Sequence, residues 1–303
     1  MTDPLRFAVI GSPVAHSKSP AMHCAAFRAL GLPHTYEKLE TSAAELPARV
    51  EALRCGELAG LNVTVPHKQK VLTLVDELDA SARATGAANT LVRLSNGRIR
   101  AHNTDTPAIA DELARLAGEC RSRFAGGTGL VIGTGGAARA AIVALASHLG
   151  VKRVLIRGRS LAETSNAVAY VRQIDRLLAA AGGRGVAVAL GADGLHAPEK
   201  EQKEESRIVA IVQATSCGMR GGPPGEVVAE AVRWERVPAN AVALDVVYAP
   251  PNTPFLEAAR ARGLACDHGL GMLARQGALA FELWLGLRPP LGVMRAAIDE
   301  STS

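Results

Sequence analysis

A chain of 303 residues has room for two domains that each bury a core, and 48% hydrophobic residues fit a globular protein rather than a disordered one. The net charge of +5 is spread along the chain without a long Lys/Arg run, and aromatics reach only 3%, which argues against a nucleic-acid partner. No apolar run reaches membrane-spanning length, the start Met1-Thr2-Asp3-Pro4-Leu5-Arg6 lacks the basic-then-apolar pattern of a signal peptide, and Cys24, Cys55, Cys120, Cys217 and Cys266 are scattered without CxxC spacing; a cytoplasmic protein with reduced thiols, no membrane partner and no metal site is expected.

Arg6 to Ile10 reads as a short apolar strand, and Pro20 opens a helix through about Leu30 that Gly31 closes. Ser19 is placed either to cap that helix or, with Ser17, to hold a carboxylate at its N-terminus. A strand over His34–Leu39 and a helix over Ala43–Leu53 follow. The stretch Leu61-Asn62-Val63-Thr64-Val65-Pro66-His67-Lys68 alternates apolar and polar residues, so it predicts a strand with one polar face. Pro66 ends that strand, and Lys70 to Leu78 reads as a helix. Lys68 would then lie in the first helical turn, where the macrodipole lowers a lysine pKa and suits proton transfer. The alternative is a solvated surface lysine.

Ala88–Leu94 and Arg98–His102 flank Ser95-Asn96-Gly97, a strong hairpin signal. Asn89 at its start and Asn103-Thr104-Asp105 at its end can share one edge. Asp105 is either a helix cap or the carboxylate partner of Lys68. The order strand, helix, strand, helix, strand over this first part implies a parallel α/β layer.

A second unit starts near Gly129. The run Leu130-Val131-Ile132 leads into Gly133-Thr134-Gly135-Gly136-Ala137-Ala138 and a small-residue helix to about Leu149. This is G-x-G-x-x-A between a strand and a helix, which suits the close approach of a dinucleotide diphosphate. The next strand, Arg153–Ile156, ends in Arg157-Gly158-Arg159-Ser160, with no acid for an NAD ribose. Arginines there suit the 2′-phosphate of NADP, or are simply solvated. A helix over Leu161–Ala181 and a strand over Val186–Leu190 come next. The polar Gly191–Glu205 stretch reads as a solvated loop or helix. Buried strands follow at Ile208–Val212 and Ala241–Tyr248, and Gly269-Leu270-Gly271-Met272 opens a helix to about Leu285. Gln276, on its apolar stripe, is a satisfied core amide or a ligand contact.

Seven pieces, in order, carry a resemblance. They are Ser12–Pro20, Asn62–Lys68, Gly86–Thr90, Asn103–Asp105, the Gly133–Ala138 turn, Ala214-Thr215-Ser216 and Gly269–Gln276. As a set spanning nearly the whole chain, they resemble the shikimate dehydrogenase family. The resemblance implies an α/β fold with two α/β domains and the active site in the cleft. A substrate-binding domain over 1–106, with a mostly parallel sheet, would be completed by C-terminal helices of about 270–303, and a Rossmann-like NADP-binding domain would cover 107–269. It implies that Lys68 moves the proton with Asp105 as its partner. Ser17, Ser19, Thr64, Asn89, Asp105, Tyr248 and Gln276 would hold the substrate, with Asn62 close by. Gly133, Gly135, Gly136, Ala137, Ala138, Arg157, Arg159, Ser160, Val246 and Gly269 would lie on the cofactor. The implied reaction is the reversible reduction of 3-dehydroshikimate to shikimate with NADP, by a cytoplasmic enzyme of aromatic amino acid and chorismate biosynthesis that acts as a monomer or homodimer.

The chain departs from the family pattern in three places. The NADP clamp is Gly158-Arg159-Ser160 followed by Leu161-Ala162-Glu163, and Glu163 would repel a 2′-phosphate, so NAD stays possible. Val246 stands where many members have Met. His67 replaces a frequent aromatic residue, either as a structural histidine or as a modifier of the lysine's pH profile. Two other readings share the residues: a quinate or dual shikimate/quinate dehydrogenase, and a non-catalytic ligand sensor on the same fold.

Overall fold

The computed structural model of the chain describes residues 3–118, 121–180, 187–190 and 205–299. The polar stretch 191–204, Cys120, and the ends at Ala181 and Val186 assigned above to a helix and a strand lie outside the described residues. Two compact units are present: Met1–Asp105 with Leu273–Ser303, and Thr106–Met272.

The first unit holds strands β1 (Arg6–Gly11), β2 (Thr35–Glu40), β3 (Gly60–Val63), β4 (Glu77–Leu78), β5 (Thr90–Arg93) and β6 (Ile99–His102) in the order β2-β1-β3-β5-β6-β4. The sheet is mixed. β1 pairs in parallel with β2 and β3, β4 in parallel with β6, and β3–β5 and β5–β6 are antiparallel. Phe7, Ala8, Val9 and Ile10 of central β1 are all buried, which is why that strand reads as a continuous apolar run rather than an alternation. One face of the sheet packs Ala8, Ile10, Leu61, Val63 and Leu91 on Leu46, Val50 and Leu53 of helix α2 (Leu46–Arg54).

The other face carries a cluster of rings. Phe7 lies 5.4 Å from Phe27 of helix α1 (Ser19–Ala29) and 5.1 Å from Trp284, and Phe27 lies 5.3 Å from Phe281. Trp284 also donates from Nε1 to the Leu91 carbonyl at 2.9 Å. Its ring fills the space over Gly60, where a Cβ would come within 2.5 Å of it. The antiparallel β5–β6 pair turns at Asn96-Gly97, with Gly97 at φ 80° as such a tight turn requires.

The expected helix over Lys70–Leu78 is corrected by the structure. Only Lys70–Thr73 is helical, as one 3-10 turn, and Glu77–Leu78 is strand β4. Val71 is buried at the turn, but the chain then extends to place β4 beside β6, an edge pairing that outweighs the helical spacing of the apolar residues. Lys68 therefore precedes a single short turn, and the macrodipole argument for it loses its helix.

Helix α3 (Ala80–Thr85) completes the N-terminal part of the first unit. The second unit contains helix α4 (Asp105–Leu116), whose first residue belongs to the first unit, and β7 (Thr128–Ile132), α5 (Gly136–Val143), β8 (Arg153–Arg157), α6 (Thr164–Ala180) and β9 (Ala187–Leu190). It continues with β10 (Ile208–Gln213), α7 (Glu226–Glu230), β11 (Val242–Asp245), α8 (Pro254–Ala261) and β12 (Ala265–Asp267). Its sheet is parallel throughout, in the order β12-β11-β10-β7-β8-β9. The strand order reverses between β10 and β7, so the crevice for a ligand lies at the carboxyl ends of those two strands. The helix after the glycine turn runs as far as the sequence suggests, but in two forms: α5 over Gly136–Val143 and then a π-helical turn over Ala144–His148, capped at Leu149. Helix α6 starts at Thr164 behind a 3-10 turn over Arg159–Leu161. Helices α9 (Leu270–Leu285) and α10 (Leu291–Asp299) end the chain. No helix among the described residues is long and apolar enough to cross a membrane.

Candidate active site

The polar residues of the first unit converge on Lys68. Its Nζ donates to Asp105 Oδ2 at 2.6 Å, with the lysine side chain 15% exposed and the aspartate side chain 4%. The other carboxylate oxygen, Oδ1, accepts from Asn89 Nδ2 at 2.8 Å, so Asp105 is held from two sides. Asn89 Nδ2 also approaches Thr104 Oγ1 at 2.9 Å and Gln276 Oε1 at 3.2 Å. Gln276 is anchored in turn by its own Nε2 on the Leu273 carbonyl at 3.0 Å. The backbone supplies the framework: the Ala88 amide donates to the Lys68 carbonyl at 2.8 Å, and the Val63 amide to the Asn89 carbonyl at 2.8 Å. A buried pair is costly unless its remaining polar valences are met, and here the Asn89 amide meets the carboxylate oxygen that Lys68 leaves.

A second line of polar groups runs along the same sheet. Ser17 Oγ lies 3.2 Å from Ser19 Oγ. Tyr36 donates its phenol to Asn62 Oδ1 at 2.7 Å, and Asn62 Nδ2 donates to the Asn89 carbonyl and to Thr90 Oγ1 at 3.0 and 3.1 Å. Burial pushes the Tyr36 phenol well above its ordinary range, so it stays a donor, with Ser19 beside it. Thr64 is half-buried, and its methyl closes on Gly11, where a Cβ would come within 2.3 Å. Ser19 is the first residue of α1, not its cap; the capping position is Lys18, and the Ser19 amide donates to Ser17 Oγ at 3.3 Å. Lys18 does not face the two hydroxyls. Its Nζ reaches the Ile298 carbonyl of α10 at 2.8 Å.

The second unit presents a separate surface. Gly133 adopts φ 122°, a region open to glycine, and a Cβ there would come within 2.9 Å of the Ala214 carbonyl. Nothing lies within 4 Å of the place a Cβ would take on Gly135, and α5 begins there without a side-chain cap. Uncapped amides behind an open glycine turn fit a diphosphate. Gly136 and Ala137 open α5, and Ala138 is buried. Arg159 and Ser160 are exposed beside the turn, with Ser160 Oγ 3.0 Å from Thr134 Oγ1.

Arg157 differs from the expectation. It is 3% exposed, and its Nη2 donates to Glu205 Oε1 at 2.8 Å; Arg233 pairs with the same glutamate at 2.7 Å. Arg157 is the last residue of β8 and is held in the packed layer by this pairing, while Arg159 lies past the strand, in a 3-10 turn, and is exposed. Glu163 is exposed one residue before α6, not in its first turn. Its carbonyl accepts from the Ala167 amide, and its carboxylate from Asn166. Val246 and Tyr248 are half-buried after β11, and a Cβ on Gly269 would come within 2.2 Å of the Val246 carbonyl oxygen. Among the described residues no group of three or more His, Cys, Asp or Glu is placed to hold a metal ion.

Residues 9–91 match the shikimate dehydrogenase substrate binding domain, and residues 269–298 the shikimate 5′-dehydrogenase C-terminal domain. The chain is 40% identical, over 94% of its length and 92% of the relative's, to the shikimate dehydrogenase (NADP(+)) of Methylobacterium radiotolerans. The chain belongs to the shikimate dehydrogenase family. Shikimate 5-dehydrogenase of Thermus thermophilus, solved with NADP(H) and shikimate, has a similar structure, with 35% identity and a TM-score of 0.75 over 98% of this chain and 99% of that one. Quinate dehydrogenase of Corynebacterium glutamicum, solved with NAD, is 28% identical with a TM-score of 0.81 over 99% and 100% of the two chains.

Among the departures from the shikimate dehydrogenase family pattern, the histidine before the lysine finds a plain structural use here. His67 is fully buried, and its Nε2 lies 2.6 Å from the Thr41 carbonyl, so that nitrogen carries the proton and ties the lysine loop to the end of β2. Sequence reasoning placed Thr104 at one edge with Asn89, as found, but missed Tyr36 and Thr90, which also join the buried network. Each sits in or beside a strand where a lone hydroxyl looks like any other half-buried position. Only the register of β2, β1, β3, β5 and β6 brings them together.

Proposed function

We propose that the protein is an NADP-dependent shikimate dehydrogenase in which Lys68 is the proton donor and acceptor and Asp105 its partner. The first unit binds substrate and the second binds the cofactor. The Lys68–Asp105 contact of 2.6 Å within a cluster of amides and hydroxyls carries the reading, in a chain 40% identical to a shikimate dehydrogenase (NADP(+)). In the reducing direction Lys68, as the ammonium, gives a proton to the carbonyl oxygen of 3-dehydroshikimate; in the oxidising direction the amine takes it back from the hydroxyl of shikimate. Asp105, fixed by Asn89, aims the ammonium and balances its charge when it is protonated. Bound NADP supplies or accepts the hydride at the same carbon.

Ser17 and Ser19 take the substrate carboxylate, and Asn62, Thr64, Asn89, Asp105 and Gln276 its ring hydroxyls. A polyhydroxylated acid suits this inventory of small donors and acceptors, and orientation by them is the chain's main contribution to rate. Gly133, Gly135, Gly136, Ala137 and Ala138 hold the diphosphate, Arg159 and Ser160 the 2′-phosphate, and Val246 and Gly269 the nicotinamide side. With Arg157 turned inward and Glu163 close in sequence to Arg159, preference for NADP over NAD is modest.

A quinate or dual activity is the second reading, favoured by the likeness to a quinate dehydrogenase solved with NAD. Absorbance of the reduced cofactor, with purified protein against shikimate and quinate, each with NADP and NAD, decides. Shikimate with NADP should give the highest specificity constant. Activity on quinate alone, or on neither acid, sinks the proposal.

A further inference from the structure

The buried groups of the second unit include an acid and an amide that the mechanism leaves unused. Asp245 ends β11 and is 0% exposed; Gln213 ends β10, is also 0% exposed, and stands opposite it in the parallel register. Asp245 Oδ2 accepts from Thr253 Oγ1 at 2.6 Å, and Oδ1 accepts from the Val247 amide at 2.9 Å and from Gln213 Nε2 at 3.2 Å. The same Gln213 amide donates to the Cys217 carbonyl at 3.1 Å, while its oxygen accepts from the Thr215 amide at 2.5 Å.

Each loop held this way leads to a glycine with no room for a side chain. The Ala214 carbonyl and Thr215 methyl close on Gly133, and the Val246 backbone closes on Gly269, whose amide donates to the Val247 carbonyl at 3.0 Å. In the strand order β11-β10-β7-β8, Arg159 and Ser160 follow β8 on one side of the Gly133 turn, and the two loops lie on the other. A dinucleotide with its 2′-phosphate at Arg159 and its diphosphate on α5 therefore lays its nicotinamide half over the ends of β10 and β11.

We propose that Gln213 and Asp245 are positioning residues for the cofactor, a buried amide–carboxylate pair that sets the two loops on which the nicotinamide half rests. This rests on the reading of the second unit as the NADP-binding one. Burial pushes the Asp245 acid up to about 6, and its three donors, from Thr253, Val247 and Gln213, hold it in place. Neither residue touches the cofactor. They act through the backbone of Ala214–Cys217 and Val246–Tyr248.

The test is calorimetric titration of the full chain with NADP, without substrate, together with the Tm of the cofactor-free protein and the shikimate KM. Gln213→Leu removes the clamp on Thr215 and Cys217 and should raise the NADP Kd about tenfold. The shikimate KM at saturating cofactor should stay within about twofold. Asp245→Asn keeps an acceptor toward Val247 and Gln213 and should hold the Kd within about threefold, a rescue that mere loss of core packing would not show. Gln213→Asn, polar but one methylene short, serves if the leucine variant does not fold. A folded Gln213 variant that binds NADP as the wild type does overturns the proposal, as does a parallel rise in both constants with a collapsed Tm. If the wild type itself takes no NADP, the cofactor reading falls with it; if it does and the variants match it, only the positioning role falls.

Discussion

Lys68 is the side chain on which turnover should depend. Its ammonium rests on a carboxylate that Asn89 fixes, so removing it leaves the carboxylate, amides and hydroxyls in place to bind substrate. Lys68→Ala should lower turnover about 10²–10⁴-fold, the usual worth of general acid–base help, with shikimate affinity near that of the wild type. Steady-state kinetics and equilibrium binding on one preparation check this; near-native turnover rejects the assigned role. His23 makes a different kind of prediction. It is fully buried on α1, both ring nitrogens lack hydrogen bonds, and it stacks on Tyr36 at 4.4 Å. Burial pushes its pKa down to about 3, below the ordinary 6.5, so the folded protein keeps it neutral. Its contribution to stability is complete above about pH 6.5 and drains away as the pH falls toward 3. His23→Leu should therefore lose less stability than the wild type between pH 7.5 and 5, by about 2 kcal/mol, measured by urea unfolding at both pH values. Equal losses in the two proteins would mean that the histidine is hydrated or paired in solution.

Elements differ in how openly the sequence states them. The β7–turn–α5 unit is legible because three independent requirements, an apolar run, glycines and small helical residues, fall in consecutive positions. The β5–β6 hairpin is legible from Asn96-Gly97 alone. Lys70–Leu78 misleads because helical spacing and an edge pairing with β6 compete there, and the pairing is a long-range fact. The Lys68–Asp105 contact can be foreseen as a pair, with Thr104 beside Asn89; its support from Tyr36 and Thr90 depends on strand register and cannot. Arg157 and Arg159 look alike in sequence, yet β8 ends between them: the first pairs inward with Glu205, and the second, in the 3-10 turn beyond, is exposed. The two arginines should therefore separate experimentally. Arg159→Ala should lower the NADP/NAD ratio of specificity constants about tenfold, since a hydrogen bond to a charged group is worth about 1.5–3 kcal/mol. Glu163→Arg should raise that ratio. Arg157→Ala should lower Tm, through the broken buried ion pair, while leaving the ratio within about twofold. Parallel kinetics with the two cofactors, plus thermal melts, compare all three variants, and a selectivity loss greater for Arg157→Ala than for Arg159→Ala reverses the assignment.

For the molecule as a whole, the governing fact is that the first unit is made from both ends of the chain. Phe281 and Trp284 close the ring cluster of Phe7, Phe27, His23 and Tyr36, and Trp284 occupies the space over Gly60. Without residues 273–303 that face of the sheet keeps only α1 as its cover. A fragment of residues 1–105 should not fold, whereas residues 273–303 joined through a flexible linker to the start of 1–105 should give a cooperative unit. Circular dichroism and thermal melts distinguish the two, and a cooperative melt from the shorter fragment would show that the C-terminal helices are dispensable.

The same arrangement has a consequence during synthesis. The ribosome releases the first 105 residues early, but the aromatic side chains that cover their sheet come only after all of Thr106–Met272 has been made. At about 5–20 residues per second, the exposed face of β1 waits on the order of ten seconds or longer for its cover. The second unit, continuous in sequence, is finished first, so the order of completion reverses the order of translation. Throughout that interval the nascent chain displays to solvent Phe7, Phe27 and Tyr36, which the finished fold buries, as a site for a holding chaperone.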